Sequence, residues 1–219
     1  MLSLYMYKQR QLAAIMFTDI VGYTALMQRD EKEAVIYRQR HRDIFQNATK
    51  KYNGKILQYF GDGTLSIFRS SVQAVECAIE MQKIFRGDFI VPVRIGIHVG
   101  DIAYSDDDIV GDAVNVASRI ESCAVSGSIL ISDKINDQIR SHQHIQSTYL
   151  GAYEFKNVED PMPLFAISNE GLVVPDREDV RGKLKQQKPK EPSYKLKRKA
   201  PILAVFLLIL ISAVVYFSF

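Results

Sequence analysis

Two strand-length runs, Lys55-Ile-Leu-Gln-Tyr-Phe60 and Thr64-Leu-Ser-Ile-Phe68, are separated only by Gly61-Asp62-Gly63. So short an Asp/Gly connection makes the chain double back as an antiparallel hairpin. Any fold open to this sequence therefore contains antiparallel sheet, with Asp62 at the tip of one turn. An acidic residue between glycines at such a tip adds nothing to a core, so its position invites a chemical explanation.

The flanking segments extend the pattern. Leu12-Ala-Ala-Ile-Met-Phe17 is a continuous apolar run ending at Thr18-Asp19, and it reads as a buried strand opening into a helix start at Ile20-Val-Gly-Tyr-Thr24. From Asp30 to Tyr52 the apolar residues Val35, Ile36, Ile44, Phe45 and Ala48 recur at helical offsets, and Asn53-Gly54 closes the helix. Val72 to Phe85 and Gly111 to Cys123 have helical periodicity, Val91 to Gly100 alternates as a strand, and Ser128 to Ser132 is a short strand. Asp133 to Arg140 is a further helix, and Tyr149 to Phe155 and Leu164 to Ile167 close the body as strands. The order predicts an α+β fold, a mainly antiparallel sheet with packed helices.

Beyond Gly171 the apolar periodicity stops. Residues 1–10 read as an N-terminal extension, 11–170 as one domain, and 171–199 as a basic flexible linker. Residues 200–219 read as a transmembrane helix: Pro201 to Phe219 carries no charge and only two serines, enough to span a hydrocarbon core of about 30 Å. Nine Lys/Arg and one acid lie between Arg181 and Lys199, a local net of +8 that leaves −5 on the rest of a chain whose total is +3. The acidic body argues against nucleic acid as a partner, and a basic run beside an apolar segment is the positive-inside pattern. The expected location is the membrane, single-pass, with the domain in the cytoplasm. No signal-peptide core precedes Arg10, so no export signal is expected, and Cys77 and Cys123 have neither disulfide-framework nor zinc-site spacing.

Asp19 ends an apolar strand at a helix start and Asp62 sits beside another strand. If those strands are neighbours, the two carboxylates converge as hard oxygen ligands suited to magnesium or manganese with nucleotide phosphates. Taken singly, Asp19 reads more readily as a helix N-cap and Asp62 as a turn former. Directly after Asp19, the backbone N–H groups of Val21, Gly22, Tyr23 and Thr24 offer an anion cradle.

Five ordered blocks, Phe17-Thr-Asp-Ile-Val-Gly-Tyr-Thr24, Tyr59-Phe-Gly-Asp-Gly63, Arg94-Ile-Gly-Ile-His-Val-Gly100, Gly111-Asp-Ala-Val-Asn-Val-Ala-Ser-Arg119 and Phe155-Lys-Asn-Val158, resemble the class III nucleotidyl cyclase catalytic domain. This is the family of adenylate and guanylate cyclases, and the resemblance runs from about Gln11 to Ile167. It implies a ferredoxin-like catalytic domain with two divalent cations, Mg2+ or Mn2+, held by Asp19, Asp62 and the Ile20 carbonyl. It also implies a homodimer whose sites are shared between subunits. Asn115 is then the ribose-orienting residue, Arg119 the transition-state arginine and Lys156 a phosphate contact, while Asp108 accepts from the purine amine.

Gln58 departs from the family pattern. Adenylate cyclases mostly carry a lysine there and guanylate cyclases tend to carry glutamate, whereas a glutamine amide both donates and accepts. The reading is a membrane-anchored adenylate cyclase making cyclic AMP from ATP. The alternatives are a cyclase of other or relaxed base choice, or a degenerate nucleotide-binding or dimerisation module. His98 is read as a core or edge residue without a catalytic role, and Asp101 as the end of its strand.

Overall fold

The apolar run of the first strand is buried on both faces because the strand is central. In the computed structural model, which describes residues 9–104, 109–156, 158 and 160–187, β1 (Gln9–Ile20) pairs with a neighbour on either side. Ala13 to Met16 are all buried, and pairing carries the strand well past the apolar run at both ends. After it come α1 (Tyr23–Arg29), α2 (Glu31–Lys51), β2 (Lys55–Phe60), β3 (Gly63–Phe68), α3 (Ser71–Phe85) and β4 (Val93–Tyr104). Then follow β5 (Ile109–Val110), α4 (Asp112–Cys123), β6 (Ile129–Ser132), α5 (Asp133–Ile139), β7 (Ser147–Tyr153), β8 (Met162–Ile167) and α6 (Arg177–Gln187).

The strands form one sheet in the order β2-β3-β1-β4-β6-β8-β7, with β5 on β4. The β4–β6 pair is parallel and the other described pairs are antiparallel, so the sheet is mixed but mainly antiparallel, as expected. The β2–β3 hairpin forms where the Asp/Gly signal places it, with Phe60 opposite Gly63. Gly61 takes φ 61 at the first turn position, a conformation that glycine adopts without a Cβ penalty.

Helices cover both sheet faces. Phe45, Ala48, Val75, Met81, Phe85 and Ile135 bring α2, α3 and α5 onto the face that carries Ala14, Met16 and Ile97. On the opposite face Ala113 and Ala117 bring α4 onto Ala13, Ile15, Leu65 and Ile67. Each fully buried Phe or Ile contributes about 1.5–3 kcal/mol. Asp30 caps α2 by accepting from the Glu33 N–H at 3.0 Å, and Ser70 caps α3 by accepting from the Gln73 N–H at 3.3 Å.

The structure differs from the sequence reading in four places. Val35 and Ile36 lie on the exposed side of α2, whose inward stripe is Ala34, His41, Ile44, Phe45 and Ala48. Asp101 does not end its strand but sits within β4 opposite Leu12. The expected linker from residue 171 contains α6, whose Val180 is fully buried against the cluster of Val116, Ile120, Tyr153 and Leu164. The compact unit accordingly runs to Gln187 rather than to about 170. Among the described residues no helix is long and apolar enough to cross a membrane. The expected spanning segment, 200–219, lies outside them.

Candidate active site

Asp19 and Asp62 meet because β1 and β3 are neighbours. Asp19 is the last but one residue of β1, and the turn bearing Asp62 leads into Gly63, one step beyond the Thr18–Thr64 register pair. A Cβ at Gly63 would lie 3.1 Å from the Thr18 carbonyl oxygen and 3.4 Å from Asp19 Oδ1, so glycine leaves room for the two acids to approach. The Ile20 N–H and the Asp19 carboxyl both hydrogen-bond the Asp62 carboxyl. Burial first, and then the charge of Asp19, push Asp62 up to about 6, far above an ordinary aspartate.

Two acids held this close in a half-buried position either share a proton or are offset by positive charge, and an all-oxygen donor pair would suit a hard divalent ion. No cluster of three His, Cys, Asp or Glu side chains occurs among the described residues. Further ligands would therefore come from backbone carbonyls, water or a bound phosphate.

Arg94 supplies part of that compensation. Opposite Asp19 in register, it donates from Nη2 to Asp19 Oδ2 at 2.7 Å, while its Nε lies 2.5 Å from Glu121 Oε1 on α4. Burial pushes the Glu121 carboxyl up to about 7 against the pull of Arg94. A Cβ at Gly96 would fall 2.2 Å from the Glu121 backbone nitrogen, so a glycine on β4 is what lets α4 approach. Neither Arg94 nor Glu121 was among the residues singled out from the sequence. Arg94 heads one of the five blocks and starts an alternating strand, but nothing local assigns either residue a partner.

The segment after Asp19 is placed as expected, with one exception. Gly22 takes φ 79 and starts α1, and the N–H groups of the first turn have no intrahelical acceptor. The Val21 N–H, however, donates to the Pro92 carbonyl at 2.7 Å. Among the described residues, the Gly22, Tyr23 and Thr24 amides make no such backbone hydrogen bond. The Tyr23 side chain is buried in the core.

The other expected residues form a second group. Asn115 is exposed and Arg119 half-buried on α4, one turn apart and on one face. Arg119 donates through Nη1 to the Lys156 carbonyl, which brings the Lys156 segment to α4. Glu121, two residues past Arg119, points about the opposite way, toward Arg94 and Asp19. Asn115 and Arg119 thus face away from the pair of aspartates in the same chain. Gln58 is exposed on the edge strand β2, in register with Leu65. Asp108 lies outside the described residues.

A family model of the adenylate and guanylate cyclase catalytic domain matches residues 5–169. The chain belongs to this family. Among relatives of this cyclase domain, a Rhizobium meliloti (strain 1021) protein carrying the name "Putative adenylate cyclase 3" is 36% identical over 168 residues, 73% of this chain and 29% of that protein. The chain thus spans under a third of that relative's length. The crystal structure of an adenylate/guanylate cyclase/hydrolase from Silicibacter pomeroyi is 33% identical with a TM-score of 0.67, covering 74% of this chain and 99% of the other. The adenylyl cyclase CyaB from P. aeruginosa is 25% identical with a TM-score of 0.66, covering 74% and 96%. These cyclase folds correspond to the sheet and helices that place both groups of residues described above.

Proposed function

We propose that this chain is an adenylate cyclase, active as a homodimer with shared sites, that converts ATP to cyclic AMP and pyrophosphate. The observation that carries the reading is the orientation of two half-sites on one chain. Asp19 and Asp62 form a converging acidic pair at one end of β1, and Asn115 and Arg119 face away from it. A complete site then needs the acidic pair of one chain and the α4 face of another, as in a head-to-tail dimer.

In this reading the 3′-oxygen attacks the α-phosphorus, the bond from that phosphorus to the bridging oxygen breaks, pyrophosphate leaves and the hydroxyl proton is released. Asp19, Asp62 and the Ile20 carbonyl would hold two magnesium or manganese ions. When bound, these supply charge neutralisation of the triphosphate and a more acidic attacking hydroxyl. The amides of Gly22 to Thr24 receive phosphate oxygens, and Arg119 forks onto charge that develops at the α-phosphate. Asn115 orients the ribose and Lys156 meets the phosphates. Asp108 and Gln58 read the base, the first accepting from the adenine amine and the second donating to its ring nitrogen.

The test is cyclic-nucleotide formation with manganese from ATP, GTP, CTP and UTP at matched concentrations, with Asp19→Ala and Asp62→Ala as controls. Cyclic AMP from ATP that both substitutions abolish is the expected result. Preference for another nucleotide would overturn the substrate and keep the chemistry. Nucleotide binding without any cyclic product would favour a binding module.

We also infer a membrane anchor at residues 200–219, from its charge-free apolar run and basic flank. Recovery of the full chain in the soluble fraction after cell lysis would count against it.

A further inference from the structure

The inward face of α2 carries a polar residue that the cyclase reading leaves without a task. His41 is fully buried, its ring stacked against Phe45 at 5.9 Å and Phe85 at 5.5 Å. Its Nε2 lies 2.8 Å from Thr18 Oγ1, which lies 2.5 Å from Thr64 Oγ1. Its Nδ1 has no hydrogen-bond partner among the described residues. Burying an unmatched ring nitrogen is unfavourable, and a phenylalanine would stack in the same slot without that cost. Packing alone does not account for a histidine here.

The contacts of His41 indicate what it does. Thr18 and Thr64 are the last register partners of the β1–β3 pair, at the end nearest the two acids, and both are buried. Thr18 immediately precedes Asp19, and Thr64 follows Asp62 by two residues. The next residue of α2 grips the same hairpin from outside. Arg42 donates through Nη2 to the Gly61 carbonyl at 3.2 Å, and its guanidinium lies 5.0 Å from the centre of the Tyr59 ring. Consecutive residues of one helix therefore fasten the two acid-bearing segments, one through the sheet and one at the turn.

We propose that His41 is a positioning residue: through Thr18 and Thr64, with Arg42 on the Gly61 carbonyl, it fixes the spacing of the Asp19 and Asp62 carboxylates and so their affinity for divalent cations. This deepens the reading of that pair as the cation site and rests on it. Groups that orient metal ligands from behind are typically worth about 10–100-fold in metal affinity.

The test measures Mn2+ binding to the full chain by electron paramagnetic resonance of free Mn2+, in the presence of 3′-deoxy-ATP, which lacks the attacking hydroxyl. His41→Phe keeps the stack and loses the hydrogen bond, so it is expected to fold and to bind Mn2+ about tenfold more weakly. His41→Gln, which still reaches Thr18, is expected to recover most of that loss. In turnover assays His41→Phe should raise the half-saturating Mn2+ concentration much more than it lowers kcat at saturating metal. A folded His41→Phe chain with wild-type Mn2+ affinity would overturn the proposal. If that variant does not fold, Thr64→Val removes only the far hydroxyl and is judged by the same criterion. Wild-type protein binding no more Mn2+ than Asp19→Ala would instead overturn the reading of the aspartates themselves.

Discussion

Asp62 illustrates a conflict between stability and use. Burial and the charge of Asp19 raise its pKa to about 6, so carrying an ionised Asp62 at neutral pH works against folding. Asp62→Asn is therefore expected to leave the melting temperature unchanged or raise it by a few degrees while abolishing metal-dependent turnover. A marked fall in melting temperature would assign the residue a structural role. His98 gives the opposite dependence on pH. It is buried with Nδ1 2.8 Å from Ser132 Oγ, and burial lowers its pKa to about 4. In this window the unfolded chain binds the proton and the folded chain does not, so stability falls as pH drops from 6.5 toward 4. Between pH 7 and pH 5 the loss from this one group is about 2 kcal/mol. Urea unfolding of wild type and His98→Gln at both values checks it, and equal pH slopes would count against the assignment. Gln58→Lys is expected to raise the ATP-to-GTP activity ratio about tenfold, the size of one base contact. An unchanged ratio would show that another residue sets base choice.

The elements were legible to different degrees, for physical reasons that single residues make plain. The β2–β3 hairpin was readable because Gly61 and Asp62 encode a local turn, and α3 because its apolar stripe is strong. Asp19 and Asp62 stood out because each is an acid beside an apolar strand. Arg94, Glu121 and His41 stayed hidden because their partners are distant in sequence: 75 residues separate Arg94 from Asp19 and 23 separate His41 from Thr18. Helix α6 was missed because it is largely polar and docks through the fully buried Val180, with Leu184 packed on the same cluster. Burying one valine is worth about 1.5–3 kcal/mol. Ending the chain at residue 176 rather than 187 should accordingly lower the melting temperature by about 4–10 °C. Thermal denaturation of the two lengths decides this, and identical curves would mean that α6 adds nothing. Gly96→Ala should cost more than an ordinary surface change, about 1–3 kcal/mol or above, because its Cβ would meet the backbone of Glu121.

On the scale of the whole molecule, the test of shared sites is complementation. An Asp19→Ala chain retains Arg119, and an Arg119→Ala chain retains Asp19. In the proposed head-to-tail arrangement a mixed dimer would hold one intact site and one doubly damaged site. Random pairing of the two inactive chains should restore about a quarter of wild-type activity. No recovery, with mixed dimers demonstrated by cross-linking, would count against the head-to-tail arrangement.

Helix α4 directs Glu121 inward to its own Arg94 and Asp19, and turns Asn115 and Arg119 outward. If sites are shared as proposed, a chain built this way holds half of each of two sites and the whole of neither. Its rate per molecule should then depend on how often two chains meet, falling on dilution and rising with crowding. For a chain held at a bilayer, the governing variable would be surface density, so that gathering chains together would switch on synthesis without any change in the fold.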